Sequence, residues 1–339
     1  MHGDLASVLA ALTCGAFVTA AEPVTVPLLR RLAAIDQPNL RSSHTVPTPR
    51  GGGAPIAIGL AGAALLVRTP VALAFAAGVA AFAAVGFADD LAGLPAGRRL
   101  GLQAGGGLAL GWVLAAQAGR PVLVVAAMAV LLSVWITGYV NAFNFMDGIN
   151  GISAVHALLG GAAFTCIGLW RHDDILAAGG AAIAAGAAAF LPWNAVRARV
   201  FLGDVGSYAL GAALALLAAR AVLRGVPPEA ALGPLALYLA DTAWTLQRRI
   251  RAGEPWLQAH RTHAYQRLCD AGWSHQRVTL VTGAITAAVS LLGLVSLTPH
   301  PRLRAVADLA ALVLLMAYLR APALLGQPAP AARLESKAA

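Results

Sequence analysis

Two adjacent carboxylates, Asp89 and Asp90, close an apolar run, and three more polar clusters end later apolar runs: Asn141 to Gly151, Asn194 to Ser207 and Asp241 to His263. Neighbouring carboxylates repel unless a cation lies near them, so the pair suits a metal or a basic partner. On a helix they point about 100° apart, which lets one face the bundle while the other faces a metal or a water-filled mouth. A solvated helix terminus is the plainer reading of the pair taken alone.

In the second cluster Asn141, Asn144 and Asp147 stand at i, i+3 and i+6, a spacing that puts them on one helix face, and Gly148 and Gly151 then permit a turn with exposed N–H groups. Amide, carboxylate and N–H groups together can hold a base, a ribose or a phosphate, and Asn150 adds a further amide; capping and turn formation is the alternative. In the third cluster Asn194 precedes Phe201-Leu202-Gly203-Asp204-Val205-Gly206-Ser207. Asp204 could cap the following helix. Flanked by glycines and near phosphates it would instead make a good Mg²⁺ ligand, since Mg²⁺ takes one or two carboxylates plus substrate oxygens. The fourth cluster brings Asp241, Arg248, Arg249 and Arg251 ahead of His260-Arg261-Thr262-His263. Two histidines among arginines fit pyrophosphate donors better than zinc, because no HExxH motif or further ligand spacing accompanies them. The three other arginines read as lipid-headgroup anchors. A fifth patch, the proline-stiffened loop from Pro38 to Gly53, sets Arg50 before three glycines whose N–H groups could face an anion.

What must position these clusters is a set of membrane helices. The 339 residues are 59% hydrophobic and 12% charged, where a soluble domain carries about 25% charged residues. Apolar stretches are continuous, which disfavours a β-barrel, and abundant Ala and Gly suit helices in close contact. The expected fold is an all-α integral membrane protein. Spans near 4–27, 54–68, 70–88, 100–118, 121–140, 152–170, 174–191, 207–222, 229–246, 277–297 and 303–323 give eleven helices, or ten if the short 54–68 run does not cross fully. Pro70 and Pro121 restart helices after tight turns. Residues 1–325 form one catalytic domain in this reading, with 326–339 a disordered cytoplasmic tail and Leu5 onward a permanent first helix.

Basic residues divide seventeen to seven between the two faces, so the N-terminus is expected outside and the C-terminus in the cytoplasm. That count, made without any motif, puts all the polar clusters and both long loops (28–53 and 247–276) on the cytoplasmic side. The net charge of +9 comes from arginines spread over short loops, which fits membrane orientation and phosphate binding and not nucleic acid. Cys14, Cys166 and Cys269 are far apart and read as packing residues, with no disulfide framework.

Taken in order, PNLRSSHTVPTPRGGG, FADDLAGL, NAFNFMDGING, FLGDVGSYALG and HRTHAYQRL resemble the polyprenyl-phosphate N-acetylhexosamine-1-phosphate transferases over about Asp36 to Val278. The resemblance implies a multi-pass bacterial inner-membrane enzyme that uses Mg²⁺, with Mn²⁺ able to substitute. It moves a HexNAc-1-phosphate from a UDP-HexNAc to undecaprenyl phosphate and releases UMP, here in the branch that primes O-antigen or related surface glycans. By the same resemblance Asp204 is the Mg²⁺ ligand. Asp89 and Asp90 are the acidic pair that deprotonates the lipid phosphate or organises the metal. Asn144, Asp147 and Asn194 surround the nucleotide, with Phe201 beside the uracil, and His260, Arg261 and His263 lie near the pyrophosphate. Two departures stand out: Leu91-Ala92-Gly93 follows the pair without a third acid, and Asn150 replaces a frequent Asp. The competing readings are a phospho-MurNAc-pentapeptide-type transferase and, in another class, a transporter or lipid flippase, whose site would lie near the bilayer midplane between matching halves. A second copy of the chain is a further candidate partner, although the sequence fixes no oligomeric state.

Overall fold

In lipid a backbone must satisfy its own hydrogen bonds, so long apolar runs become helices. The computed structural model describes residues 2–38, 46–255 and 260–325. Among them are thirteen α-helices: α1 (His2–Arg31), α2 (Ala54–Val67), α3 (Pro70–Ala92), α4 (Ala96–Ala116), α5 (Val122–Met146), α6 (Ile152–Arg171), α7 (Asp174–Asn194), α8 (Gly203–Leu223), α9 (Pro228–Leu232), α10 (Ala236–Arg251), α11 (Ala264–Asp270), α12 (His275–Leu294) and α13 (Pro301–Leu324). Eight are long and apolar enough to cross a membrane: α1, α3, α5, α6, α7, α8, α12 and α13. The protein is an all-α integral membrane protein. The C-terminal tail and residues 39–45 of the proline-rich loop lie outside the described residues.

Local chemistry sets the helix ends. Thr69 caps α3 by accepting from Ala72 N–H at 3.2 Å, with Pro70 as the first helical residue, and Pro121 stands just before α5. Asp173 caps α7 by accepting from the N–H groups of Ile175 and Leu176. Two details differ from expectation. The run 229–246 is α9, a 3-10 turn at Gly233–Leu235 and α10, because Pro234 has no N–H to continue the ladder. The loop 247–276 contains α11, where His263 precedes the first turn and Gln266 Oε1 accepts from its N–H.

α8 is the enclosed central helix, packed against α3, α5, α2 and α7. Small residues bring its neighbours close. A Cβ on Gly53 would lie 2.1 Å from Gly206 Cα, and one on Gly86 would lie 2.2 Å from the Asp204 carbonyl oxygen. Two two-residue strands, β1 (Ile35–Asp36) and β2 (Thr48–Pro49), pair antiparallel, and Arg50 bridges in parallel to Phe201. Cys14 is buried against Gly59 and Gly186, as a packing residue would be. Cys166 is exposed on α6, which corrects its reading as a packing residue; all three cysteines are free.

Candidate active site

The four clusters meet at one end of the bundle, where α3 and α5 finish and α8 begins. Asp90 is the knot. Its Oδ1 accepts from the Asp204 N–H and its Oδ2 from the Val205 N–H, both at 3.0 Å. Arg50 Nη2 donates to the Asp90 carbonyl at 2.6 Å, and its Nε lies 3.8 Å from Oδ1. The cap of α8 therefore comes from another helix. Asp204 sits in the first turn, not at the capping position, which removes the capping alternative for it. Gly203 turns the chain into α8 with φ +74°, and a Cβ there would meet Asp90 Oδ2 at 2.6 Å; only glycine fits that turn.

Asp89 points elsewhere, as the 100° offset requires. Its Oδ1 accepts from the Leu94 N–H at 2.7 Å, and its Oδ2 accepts from Arg99 Nη1 at 2.9 Å and from the Tyr208 hydroxyl at 3.1 Å. The Asp89 and Asp204 carboxylates also come within hydrogen-bonding reach of each other. Asn144 Nδ2 donates to Asp204 Oδ1 at 2.7 Å and to Ser207 Oγ at 3.0 Å. Arg99, Tyr208 and Ser207 were not singled out from the sequence. Ser207 and Tyr208 stand three and four residues after Asp204, the spacing that shares a helix face, so the signal for them was present.

The expected common face of Asn141, Asn144 and Asp147 is corrected. Each three-residue step falls about 60° short of a full turn, so the outer two diverge by about 120°. Asn141 turns towards α4 and donates to Gln103 Oε1 and the Thr137 carbonyl. Asp147 lies just beyond α5, beside Ser153, whose hydroxyl is 3.3 Å from the Tyr238 hydroxyl. Beneath it Tyr238 stacks on buried His156 at 3.6 Å, and His156 meets the Tyr139 hydroxyl at 2.9 Å. Burial pushes the Asp147 carboxyl up to about 7.

Asn194 spends both ends of its amide on backbone: Oδ1 accepts from Gly151 N–H at 2.7 Å, and Nδ2 donates to the Val200 carbonyl at 3.0 Å. Gly148 leaves room for Tyr265, whose hydroxyl donates to the Phe145 carbonyl at 2.9 Å. The Asn150 carbonyl accepts from the Thr279 hydroxyl at 2.9 Å. The glycines after Arg50 do not offer an anion nest: the N–H groups of Gly51 and Gly52 donate to the Phe201 carbonyl, and that of Gly53 to the Leu202 carbonyl. That expectation is corrected, because β-like pairing with Phe201 uses those donors first.

His260 and His263 stack at 5.1 Å between centroids, and the Phe145 ring lies 6.2 Å from His263. Burial, then the neighbouring His263, Arg249 and Arg248, hold the His260 imidazole down to about 4. Arg261, expected near the pyrophosphate, is ion-paired with Asp270 at 2.9 Å. Arg248 donates to the Thr262 carbonyl, and Arg249 pairs with Glu254. These two brace the loop instead of anchoring headgroups. No group of three metal-binding His, Cys, Asp or Glu residues occurs among the described residues. The facing Asp89 and Asp204 carboxylates nonetheless make an all-oxygen donor pair whose mutual repulsion a divalent cation would relieve, so the residues present fit Mg²⁺.

Fold and site define an all-helical membrane protein with an acidic, arginine-braced cluster at one end. The glycosyl transferase family 4 pattern matches residues 72–222. The chain is 30% identical to the decaprenyl-phosphate N-acetylglucosaminephosphotransferase of Mycobacterium tuberculosis over 330 residues, covering 84% of this chain and 81% of that protein. It is 27% identical to a Bacillus subtilis protein named "Probable undecaprenyl-phosphate N-acetylglucosaminyl 1-phosphate transferase", covering 80% and 81%. It is also 34% identical to the phospho-N-acetylmuramoyl-pentapeptide-transferase of Symbiobacterium thermophilum, covering 62% and 72%. The chain belongs to the polyprenyl-phosphate N-acetylhexosamine-1-phosphate transferase family.

Proposed function

We propose that this protein transfers a HexNAc-1-phosphate from a UDP-HexNAc to undecaprenyl phosphate at the cytoplasmic face of a bacterial inner membrane, giving undecaprenyl-diphosphate-HexNAc and UMP and priming O-antigen or a related glycan. The observation that carries the reading is the hydrogen-bonded knot of Asp89, Asp90, Asn144 and Asp204, which gathers three helix ends around facing carboxylates.

Phosphoryl transfer asks a protein mainly for positioning and charge neutralisation. Mg²⁺ held by Asp204 with Asp89 would supply charge neutralisation for the diphosphate. The lipid phosphate oxygen attacks the β-phosphorus, the bond from that phosphorus to the bridging oxygen breaks, and UMP leaves with the electron pair. A lipid phosphate with a second pKa of about 6 is mostly dianionic at neutral pH, so Asp89 orients and needs no proton to take. Arg99 and Tyr208 hold Asp89 to that task. His263 faces the diphosphate, and Asp147 with Asn150 lies beside the nucleotide.

The test is UMP release by purified protein given undecaprenyl phosphate, Mg²⁺ and a panel of UDP-sugars, with mass spectrometry of the lipid product. UMP from a UDP-HexNAc, lost in Asp204→Asn and on chelation, is expected. Turnover with UDP-MurNAc-pentapeptide alone would move the protein to the peptidoglycan branch, as the 34% identical relative would suggest. No release with any donor would favour transport.

A further inference from the structure

Asp241 lies on α10, outside the acidic knot, and its side chain is fully enclosed. Its Oδ2 accepts from the Tyr318 hydroxyl at 2.7 Å. Its Oδ1 meets the Ala264 N–H at 3.0 Å, the Thr245 hydroxyl at 3.1 Å and His263 Nδ1 at 3.1 Å. A carboxylate offers about four lone-pair sites, and four donors, from α10, α11, α13 and the loop before α11, converge on this one, three of them on Oδ1. A carboxylate can only accept, so the nitrogen beside it must carry the proton. The tautomer of His263 is fixed from outside: Nδ1–H faces Asp241, and Nε2 is left for whatever enters the pocket. The ring plane is fixed as well, between His260 at 5.1 Å, Tyr265 at 5.9 Å and Phe145 at 6.2 Å. Phe145 follows Asn144, which holds Asp204, so the oriented imidazole and the acidic knot are fastened to consecutive residues of α5. The other charged groups facing this corner are Arg248 and Arg249 on α10.

We infer that Asp241 and Tyr318 are a positioning pair for His263, setting which ring nitrogen and which edge it presents to the diphosphate of the nucleotide sugar. The inference rests on the proposed transferase reading. It draws α13, which lies beyond the 72–222 family match, into the working parts of the enzyme. Supporting partners of this kind change activity by about 10–100-fold when removed.

A double-mutant cycle on UMP release tests it, with Asp241→Asn, Tyr318→Phe and His263→Gln made singly and in pairs. Asp241→Asn is expected to lower kcat about 10–100-fold and Tyr318→Phe by less, and neither is expected to lower it further in the His263→Gln background. Nitrogen-15 NMR of the histidine-labelled protein should show Nδ1-protonated His263 in the wild type and a changed tautomer signal in Asp241→Asn. Multiplying effects in the cycle, or an unchanged His263 signal, would overturn the inference. If Asp241→Asn does not fold, the Tyr318→Phe and His263→Gln cycle decides alone. A wild-type protein that releases no UMP would instead count against the transferase reading, while the NMR arm still reports on the pair.

Discussion

Replacing Asp90 with Asn keeps the side-chain shape and removes one acceptor. Asp90 now accepts from two backbone N–H groups at 3.0 Å each. Hydrogen bonds to a charged group contribute about 1.5–3 kcal/mol each, and a neutral one about 1 kcal/mol. Asn would keep one neutral bond and set an amide N–H₂ against the other donor, a net cost of roughly 2–4 kcal/mol once the protein relaxes. At about 2 °C per kcal/mol for a large domain, the melting temperature in detergent should fall by roughly 4–8 °C. Asp204 is held by those same N–H groups, so if every turnover needs the helix start in place, turnover should fall by at most roughly 30- to 800-fold. The paired assays are thermal unfolding by intrinsic fluorescence and UMP release, on the same preparation. A variant with wild-type melting but no turnover would refute the capping argument, since Asp90 would then be acting on substrate directly. A variant unchanged in both would remove Asp90 from the site.

Other outcomes follow from the same geometry. Gly53→Ala should give no folded protein, because its Cβ would meet Gly206 Cα at 2.1 Å, whereas Gly62→Ala, inside the helix that Gly53 precedes, has open space and should raise the melting temperature through a gain of about 0.5–1 kcal/mol; yield and melting of the two variants decide this. Asn194→Ala strands the Gly151 N–H and the Val200 carbonyl and should cost about 2–4 kcal/mol, read as a lower melting temperature. Asp147 holds its proton to about pH 7 when folded and to about 3.9 when unfolded, so its contribution to stability is full at low pH and is lost as pH rises through 7. The melting difference between Asp147→Asn and wild type should therefore grow in the variant's favour from pH 4 to 7 and level off above; a pH-independent difference would contradict it.

Helix positions were legible because lipid forbids unpaired backbone and because Pro70 and Pro121 mark where chains re-enter helices. The clusters were legible because polar residues beside apolar runs need a reason. Their pairings were not. The contact between Asp90 and the N–H of Asp204 spans 114 residues of chain, and no local spacing announces it. Asn141 and Asn144 looked equivalent, yet a 60° rotation sends one to Gln103 and the other to Asp204. Arg99 entered the sequence reading only as a charge in an orientation count, and Tyr318 only as part of an apolar helix. Each gains its role from a partner on a different element. The glycines after Arg50 were misread for the opposite reason: their N–H groups do bind acceptors, but the acceptors are carbonyls of residues 201 and 202.

In the hairpin of α2 and α3 the first arm is short for the company it keeps. From Gly53, level with Gly206, the fourteen residues of α2 climb only about 21 Å, against a hydrocarbon slab of about 30 Å. Its tip carries exposed Arg68 in a left-handed turn, a cation that must reach headgroups. The second arm, the twenty-three residues from Pro70 to Ala92, rises about 35 Å from that tip, so the shortfall of α2 falls at its foot near Gly53 and not at Arg68.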